Sequence, residues 1–141
     1  MGEVKYLLDT NILSEPLARF PHAGVMSHIQ HHSEEIALSV ISWQEMLFGM
    51  YRLPESKRRR QIKEYLLQRI RGVLPILPFD KAAAEWQAEQ SAKLVAEGLT
   101  PAYADTQIAA IAASQNLILV TRNIQDFSGF IDLSLENWFD Q

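Results

Sequence analysis

The chain has 141 residues, of which 48% are hydrophobic and 21% are charged. This length suits one ordinary domain, and the composition excludes a disordered or fibrous protein, so we expect a single domain over residues 1–141. The net charge of -4 excludes binding of nucleic acid through an overall positive charge. Any nucleic acid must therefore meet a local basic patch or bound cations.

No segment of the sequence is typical of a membrane protein or an exported protein. The apolar run at residues 108–113 is far shorter than the ~20 residues that cross a bilayer, and Asp9 interrupts the N-terminal apolar run. The chain has no cysteine, which excludes disulfides and thiolate metal sites and fits a reducing compartment. We expect a cytoplasmic protein that binds no membrane.

Short apolar runs alternate with helical periodicities along the chain. The predicted elements are, in order, strand 4–8, helices 12–19 and 23–31, strand 36–40, helices 43–52 and 57–70, strand 73–77, helices 80–97 and 101–114, strand 117–120 and a candidate edge strand 130–135. Ser42 and Glu45 match the capping box that opens a helix, and Thr100 with Pro101 would begin a later one. Strands that alternate with helices predict an α/β fold, a three-layer α/β/α sandwich around a central, mainly parallel sheet.

Four acidic residues follow predicted strands or lie near predicted helix starts: Asp9, Glu45, Asp105 and Asp126. Most of them have a simple structural explanation. Asp9 can cap the helix that follows it, and Glu45 can close the capping box. Asp126, like nearby Asn123, can be a turn residue.

Asp105 is harder to explain structurally. Its predicted helix face carries only apolar neighbours, namely Ile108, Ala109, Ala112 and Ala113. No Lys or Arg lies on that face, and an unpaired buried carboxylate would cost several kcal/mol. A metal ion is the simplest partner.

If the four acids meet at the strand ends, their repulsion would be relieved by divalent cations. Carboxylate oxygens and water suit Mg²⁺ or Mn²⁺, whereas zinc prefers His or Cys. A metal-bound water is a nucleophile, and the ion can neutralise charge on a phosphodiester as it is cleaved. The pattern therefore indicates metal-dependent hydrolysis of a phosphodiester.

Two further polar clusters each have a structural and a functional explanation. His28 and His32 are spaced as in a zinc helix, but Ile29 stands where the motif needs Glu, so a solvated helix end explains them better. The basic run Arg58, Arg59 and Arg60 is either a solvated helix face or a rim that contacts RNA phosphates.

Four blocks, in their order and spacing, resemble the PIN-domain ribonucleases, and more narrowly the VapC-type toxins of toxin–antitoxin pairs in their FitB-like branch. The blocks are Leu7-Leu8-Asp9-Thr10-Asn11-Ile12, Ser42-x-x-Glu45 with Leu47 and Gly49, Ala104-Asp105 with Ile108-Ala109-Ala110, and Val120-Thr121-Arg122-Asn123-x-x-Asp126-Phe127.

The resemblance implies a Mg²⁺-dependent endoribonuclease in which Mn²⁺ can replace Mg²⁺. Asp9 and Asp105 would be the principal metal ligands, and Glu45 and Asp126 would complete the catalytic pocket. Two hydroxyl residues, Thr10 and Thr121, would line it. Some relatives carry an acid at the position of Asn123, which leaves open whether Asn123 or Asp126 faces the metal.

The resemblance also implies partners for the chain: an RNA substrate, a second copy in a homodimer, and a small antitoxin whose tail covers the acidic groove. Two other functions remain open from the residues. A haloacid-dehalogenase-like phosphatase also places an Asp after its first strand, but it needs a second Asp where this chain has Asn11. A non-catalytic PIN-like domain would bind a partner or RNA without using its acids.

Overall fold

The computed structural model describes residues 2–140. The chain forms five strands, β1 (Tyr6–Leu8), β2 (Ile36–Ser39), β3 (Ile76–Leu77), β4 (Ile118–Val120) and β5 (Ser134–Glu136). They form one parallel sheet in the order β3-β2-β1-β4-β5. Because all strands run the same way, their carboxyl ends meet at one edge of the sheet.

Helices connect the strands. They are α1 (Thr10–Leu13), α2 (Ala23–His31), α3 (Val40–Tyr51), α4 (Lys57–Tyr65), α5 (Lys81–Ala96), α6 (Tyr103–Ser114) and α7 (Ile124–Phe127). A 3-10 turn at Glu15–Leu17 follows α1, and a π-helical turn at Leu66–Ile70 extends α4. Within residues 2–140, no helix has both the length and the apolar composition needed to cross a bilayer.

Two hydrophobic cores lie on opposite faces of the sheet. Leu7 packs in one core with residues of α5 and α6, whereas Leu8 packs in the other with residues of α1, α2 and α3. Successive strand residues point to opposite faces, so a strand covered on both sides needs a continuous apolar run. The predicted three-layer α/β/α sandwich is confirmed.

The predicted capping box of Ser42 and Glu45 is wrong. Helix α3 begins at Val40, directly after β2, and Ser39 is its N-cap; the Ser39 Oγ accepts a hydrogen bond from the Ser42 backbone N at 3.0 Å. Ser42 is therefore the third residue of the helix and fully buried. The prediction ends the strand at residue 40 and begins the helix at residue 43, whereas the chain passes directly from Ser39 of β2 to Val40 of α3.

Other predicted boundaries also differ from the structure. Helix α6 begins at Tyr103 with Ala102 as its N-cap, so Thr100 and Pro101 precede the helix. The third strand is shorter than predicted, but it lies at an edge of the sheet, as Pro75 required. The candidate edge strand near residue 130 is confirmed as β5, at the opposite edge.

Candidate active site

Asp9 lies at the carboxyl end of β1, between the ends of β2 and β4. Its side chain is only 7% exposed and is held at both oxygens. Oδ1 accepts a hydrogen bond from the Thr10 backbone N at 2.8 Å, and Oδ2 accepts one from the Thr121 Oγ1 at 2.8 Å. Asp9 is thus both the N-cap of α1 and a fixed carboxylate at the centre of the sheet edge.

Thr121 follows β4 and fixes the orientation of Asp9. Its hydroxyl oxygen accepts a hydrogen bond from the Asn123 backbone N at 3.1 Å, while its proton is donated to Asp9. Asn11 adds a second link between the two strand ends, because its Oδ1 accepts from the Arg122 backbone N at 3.2 Å. These bonds hold the ends of β1 and β4 in one rigid arrangement.

Glu45 reaches the same edge from α3. Its side chain is exposed, and its Oε1 accepts a hydrogen bond from the Thr10 Oγ1 at 2.7 Å. The Thr10 hydroxyl also lies 3.0 Å from the Ser42 Oγ. Glu45 is therefore linked through Thr10 to the segment that directly follows Asp9.

Asp105 is the third residue of α6 and is partly buried. Burial, and then the nearby charges of Asp9, Asp126 and Glu45, raise the pKa of Asp105 from 3.8 to about 6. Asp105 makes no ion pair with any Lys, Arg or His in the described part of the chain. The absence of a basic partner, inferred from the helix face, holds in the structure.

Burial and nearby acidic charges also act on Asp9. Burial raises the pKa of Asp9 most, and the charges of Glu45 and Asp126 raise it further. Hydrogen bonds from Thr121 and from the Thr10 backbone N oppose this rise because they favour the ionised form. The structure therefore places Glu45 and Asp126 near enough to Asp9 and Asp105 for their charges to act on both.

Asn123 and Asp126 lie on the rim of this cluster, and both are exposed. Asn123 precedes α7, where its backbone N bonds to Thr121, and Asp126 lies within α7. The Asp126 carboxylate raises the pKa of both Asp9 and Asp105, so its charge faces the cluster.

The donor set fits a hydrated Mg²⁺ or Mn²⁺ ion. Among residues 2–140, no three His, Cys, Asp or Glu side chains lie close enough together to enclose an ion on their own. Mg²⁺ does not need such a cage, because it usually keeps several waters and binds through one or two carboxylates. Asp9 and Asp105 would supply those carboxylates, and the other two acids would add negative charge around the waters.

The basic residues of α4 are partly used in structural contacts. The Arg58 Nη1 donates to the Leu17 backbone O at 2.9 Å. The Arg59 Nη1 donates to the Leu53 backbone O at 3.2 Å and lies 3.2 Å from the Glu55 carboxylate. Arg60 is exposed.

The histidines at the end of α2 have a structural partner that the sequence did not reveal. The rings of His28 and His32 stack on Trp138, with centroid distances of 5.0 and 5.5 Å. Both side chains are half-buried, so the expectation of a simple solvated helix end is wrong for them.

Sequence reasoning also missed three polar residues at the sheet edge, namely Asn11, Ser39 and Ser42. The capping box gives Ser42 a different role, and no contact across the sheet edge is predicted for Asn11 or Ser39. Their signal in the sequence was present: Ser39 ends a buried apolar strand and Ser42 lies in a helix that packs on the core, positions where a polar side chain needs a specific partner.

Comparisons with known proteins agree with this geometry. The PIN domain family matches residues 6–129. The plasmid stability protein StbB of Pseudomonas syringae pv. tomato is 36% identical over 124 residues, covering 86% of this chain and 89% of that protein. The toxin FitB of Neisseria gonorrhoeae is 33% identical over 138 residues, covering 95% and 99%. The ribonuclease VapC2 of Haemophilus influenzae is 31% identical over 135 residues, covering 96% and 98%.

A solved structure shows the same architecture. The crystal structure of FitAcB from Neisseria gonorrhoeae has a TM-score of 0.88 and 32% sequence identity, and the match covers 96% of this chain and 99% of that one. The resemblance drawn from the four sequence blocks is confirmed. This chain belongs to the PIN-domain family, with VapC- and FitB-type proteins among its relatives.

Proposed function

We propose that this protein is a metal-dependent endoribonuclease that acts as the toxin of a toxin–antitoxin pair. The observation that carries the proposal is the cluster of four carboxylates at the carboxyl edge of the sheet, which repel one another and have no basic partner within residues 2–140. A divalent cation would relieve that repulsion. The relatives named ribonuclease VapC2 and toxin FitB support this activity and role.

In this proposal Asp9 and Asp105 hold Mg²⁺, or Mn²⁺ in its place. When bound, such an ion supplies an activated water and neutralises charge on the phosphodiester. Asp9 is already oriented by the Thr10 backbone N and the Thr121 hydroxyl, so little side-chain freedom is lost when it binds. Glu45 and Asp126 are exposed, so a phosphate group and water can approach the acids from the solvent.

We assign the fourth acidic position to Asp126 rather than Asn123. Support comes from the effect of the Asp126 charge on the pKa of Asp9 and Asp105. The Asn123 side chain would add only a neutral oxygen at the rim, because an amide carries no charge.

The proposed partners are an RNA substrate, an antitoxin and a second copy of the chain, and the proposed compartment is the cytoplasm. The likeness to FitB and FitAcB supports the toxin–antitoxin assignment. Helix α3 exposes Phe48 and Tyr51 by 66% and 63%, which provides an apolar surface suited to contact with another protein. Arg58, Arg59 and Arg60 remain candidates for contact with RNA phosphates.

The two other functions considered from the sequence are less well supported. Asn11, which stands where the phosphatase needs its second Asp, bonds to the Arg122 backbone and faces Asp9. A non-catalytic domain has no need of four mutually repelling acids.

The test is cleavage of total RNA by the purified protein with Mg²⁺, with EDTA, and with the variants Asp9→Asn and Asp105→Asn. We expect cleavage that EDTA and both variants abolish. Asn is itself a good helix cap, so Asp9→Asn should still fold. Glu85→Gln, which changes an exposed acid on α5 outside the cluster, is the matched control and should cleave normally. Cleavage that persists in EDTA or in both variants would contradict the proposal.

A further inference from the structure

We propose that Ser42 is a positioning residue that holds the Glu45 carboxylate at the metal site through the hydroxyl of Thr10. The consequence for metal binding rests on the proposed function. The positioning itself rests on a chain of hydroxyl groups that runs from the buried start of α3 to the exposed site.

The chain consists of three hydroxyls at hydrogen-bond distance. The Ser39 and Ser42 Oγ atoms are 3.3 Å apart, and the Ser42 Oγ is 3.0 Å from the Thr10 Oγ1. The Thr10 Oγ1 lies 2.7 Å from the Glu45 Oε1. Ser39 and Ser42 are both 0% exposed, so their hydroxyls have only protein partners.

The number of protons on the hydroxyls determines which group donates in each of these hydrogen bonds. Each hydroxyl carries a single proton, and an ionised carboxylate only accepts, so Thr10 donates to Glu45. Ser42 must then donate to the Thr10 oxygen, and Ser39 donates to the Ser42 oxygen. The Ser39 oxygen accepts from the Ser42 backbone N at 3.0 Å, which closes the chain at the N-terminus of α3.

Helix capping does not account for Ser42. Ser39 alone caps α3, and alanine would suit a buried position inside the helix better than serine. The Ser42 hydroxyl instead forms a hydrogen bond with the Thr10 hydroxyl, which lies nearer the site. Holding an exposed glutamate in one rotamer costs conformational entropy. The hydrogen bond from Thr10 to Glu45 offsets that cost.

A double-mutant cycle on the full chain tests the proposal, with Mn²⁺ affinity measured by calorimetry. Ser42→Ala should lower the affinity about tenfold, as is typical when a group that orients a ligand is removed. The same change made in Glu45→Gln should have no further effect, because the carboxylate it positions is gone. Thr10→Val should reproduce the loss, and Thr10→Ser, which keeps the hydroxyl, should restore affinity.

Ser56→Ala is the matched control. It also removes a serine that caps a helix, since the Ser56 Oγ accepts from the Arg59 backbone N at 3.1 Å. Ser56 directly precedes α4 and takes no part in the series of hydroxyls that leads to Glu45. We expect lower thermal stability with unchanged Mn²⁺ affinity. Unchanged affinity in Ser42→Ala, or an equal loss in the Glu45→Gln background, would overturn the proposal.

A metal-free measurement separates this proposal from the proposed function. The ¹³C chemical shift of the Glu45 carboxyl carbon should move in Ser42→Ala and stay fixed in Ser56→Ala. If the unchanged protein binds no Mn²⁺ and this shift still moves, the metal-dependent function fails and the positioning stands. If the shift does not move, the positioning is wrong whatever the affinity for metal.

Discussion

The carboxyl edge of the sheet and the start of α4 both concentrate charge, but they satisfy it differently. On α4, Arg59 pairs with Glu55, and Arg58 donates to the Leu17 backbone O. At the sheet edge Asp9 and Glu45 accept hydrogen bonds from hydroxyls and a backbone N, and within residues 2–140 none of the four acids has a basic partner.

The charges of Arg58 and Arg59 on α4 are used in contacts within the fold, whereas the acids at the sheet edge lower its stability. Arg58 and Arg59 make contacts within the protein that explain their presence without a ligand. Burial, and then the charges of neighbouring acids, raise the pKa of Asp9 and Asp105, so placing these carboxylates together at the sheet edge opposes folding. An arrangement that costs stability and is still built in detail indicates a function.

The largest effect is expected when the charge of Asp9 or of Asp105 is removed. Asp9→Asn and Asp105→Asn should each lower the rate of RNA cleavage at least about 100-fold, because each removes a proposed metal ligand. Initial rates with purified protein measure this loss, and circular dichroism checks that the variants are folded. Near-normal rates in either folded variant would contradict its role as a ligand.

Thr121 orients the Asp9 carboxylate through a hydrogen bond. Thr121→Val keeps the shape of the side chain but removes the hydroxyl that donates to Asp9 at 2.8 Å. We expect Mn²⁺ affinity to fall about tenfold, since Asp9 loses the bond that orients it. Thr100→Val, at an exposed position, should leave the affinity unchanged and controls for the loss of a threonine hydroxyl. Equal affinities in the two variants would show that Thr121 does not orient Asp9.

The cost of clustered charge predicts a gain in stability when one charge is removed. Without metal at pH 7, Asp105→Asn should raise the free energy of unfolding by about 1 to 2 kcal/mol, allowing for partial solvent screening of Asp105. Urea unfolding measures the difference. A variant less stable than the unchanged protein at pH 7 would show that Asp105 has a favourable partner.

The same group sets a pH dependence. The pKa of Asp105 is about 6 in the folded protein against 3.8 ordinarily, so the folded state holds the Asp105 proton more tightly. Its contribution to stability is fully present below about pH 4 and is lost as the pH rises through 6. The advantage of Asp105→Asn should therefore shrink as the pH is lowered from 7 to 4. If the difference in stability between Asp105→Asn and the unchanged protein stays constant over this pH range, the ionisation of Asp105 is not its cause.

The smallest effect is expected on α4. Arg60→Ala removes an exposed charge, and if α4 contacts RNA, the salt dependence of RNA binding should weaken by about one phosphate contact. Binding measured with catalytically inactive Asp9→Asn over a range of salt concentrations tests this. An unchanged slope in Arg60→Ala, and in a triple variant that also changes Arg58 and Arg59, would restrict α4 to a structural role.

The sequence predicted the site where periodicity or strand ends placed a residue in three dimensions. Asp9 could be placed because an apolar strand stops at it, and Asp105 because a carboxylate lies on an apolar helix face. The order of the strands was not predicted, but alternating strands and helices were enough to predict three layers. The positions of Asp9 and Asp105 could be predicted because they depend on strand ends and helix periodicity, which are local patterns in the sequence.

The supporting bonds could not be predicted, because they join distant segments. Asn11 bonds to Arg122 across 111 positions, and Thr121 bonds to Asp9 across 112. The role of Ser42 was hidden for another reason: β2 continues into α3 without a loop, which moved the cap to Ser39 and left Ser42 free to bond to Thr10. Its neighbours in sequence gave no sign of this contact.

The most direct test of the central claim, that the four acids together form a site for a divalent cation, is a calorimetric titration of the metal-free protein with Mn²⁺ at pH 7. We predict saturable binding that Asp105→Asn weakens strongly and Glu85→Gln leaves unchanged. Absence of binding, or equal affinity in Asp105→Asn and the unchanged protein, would contradict the claim.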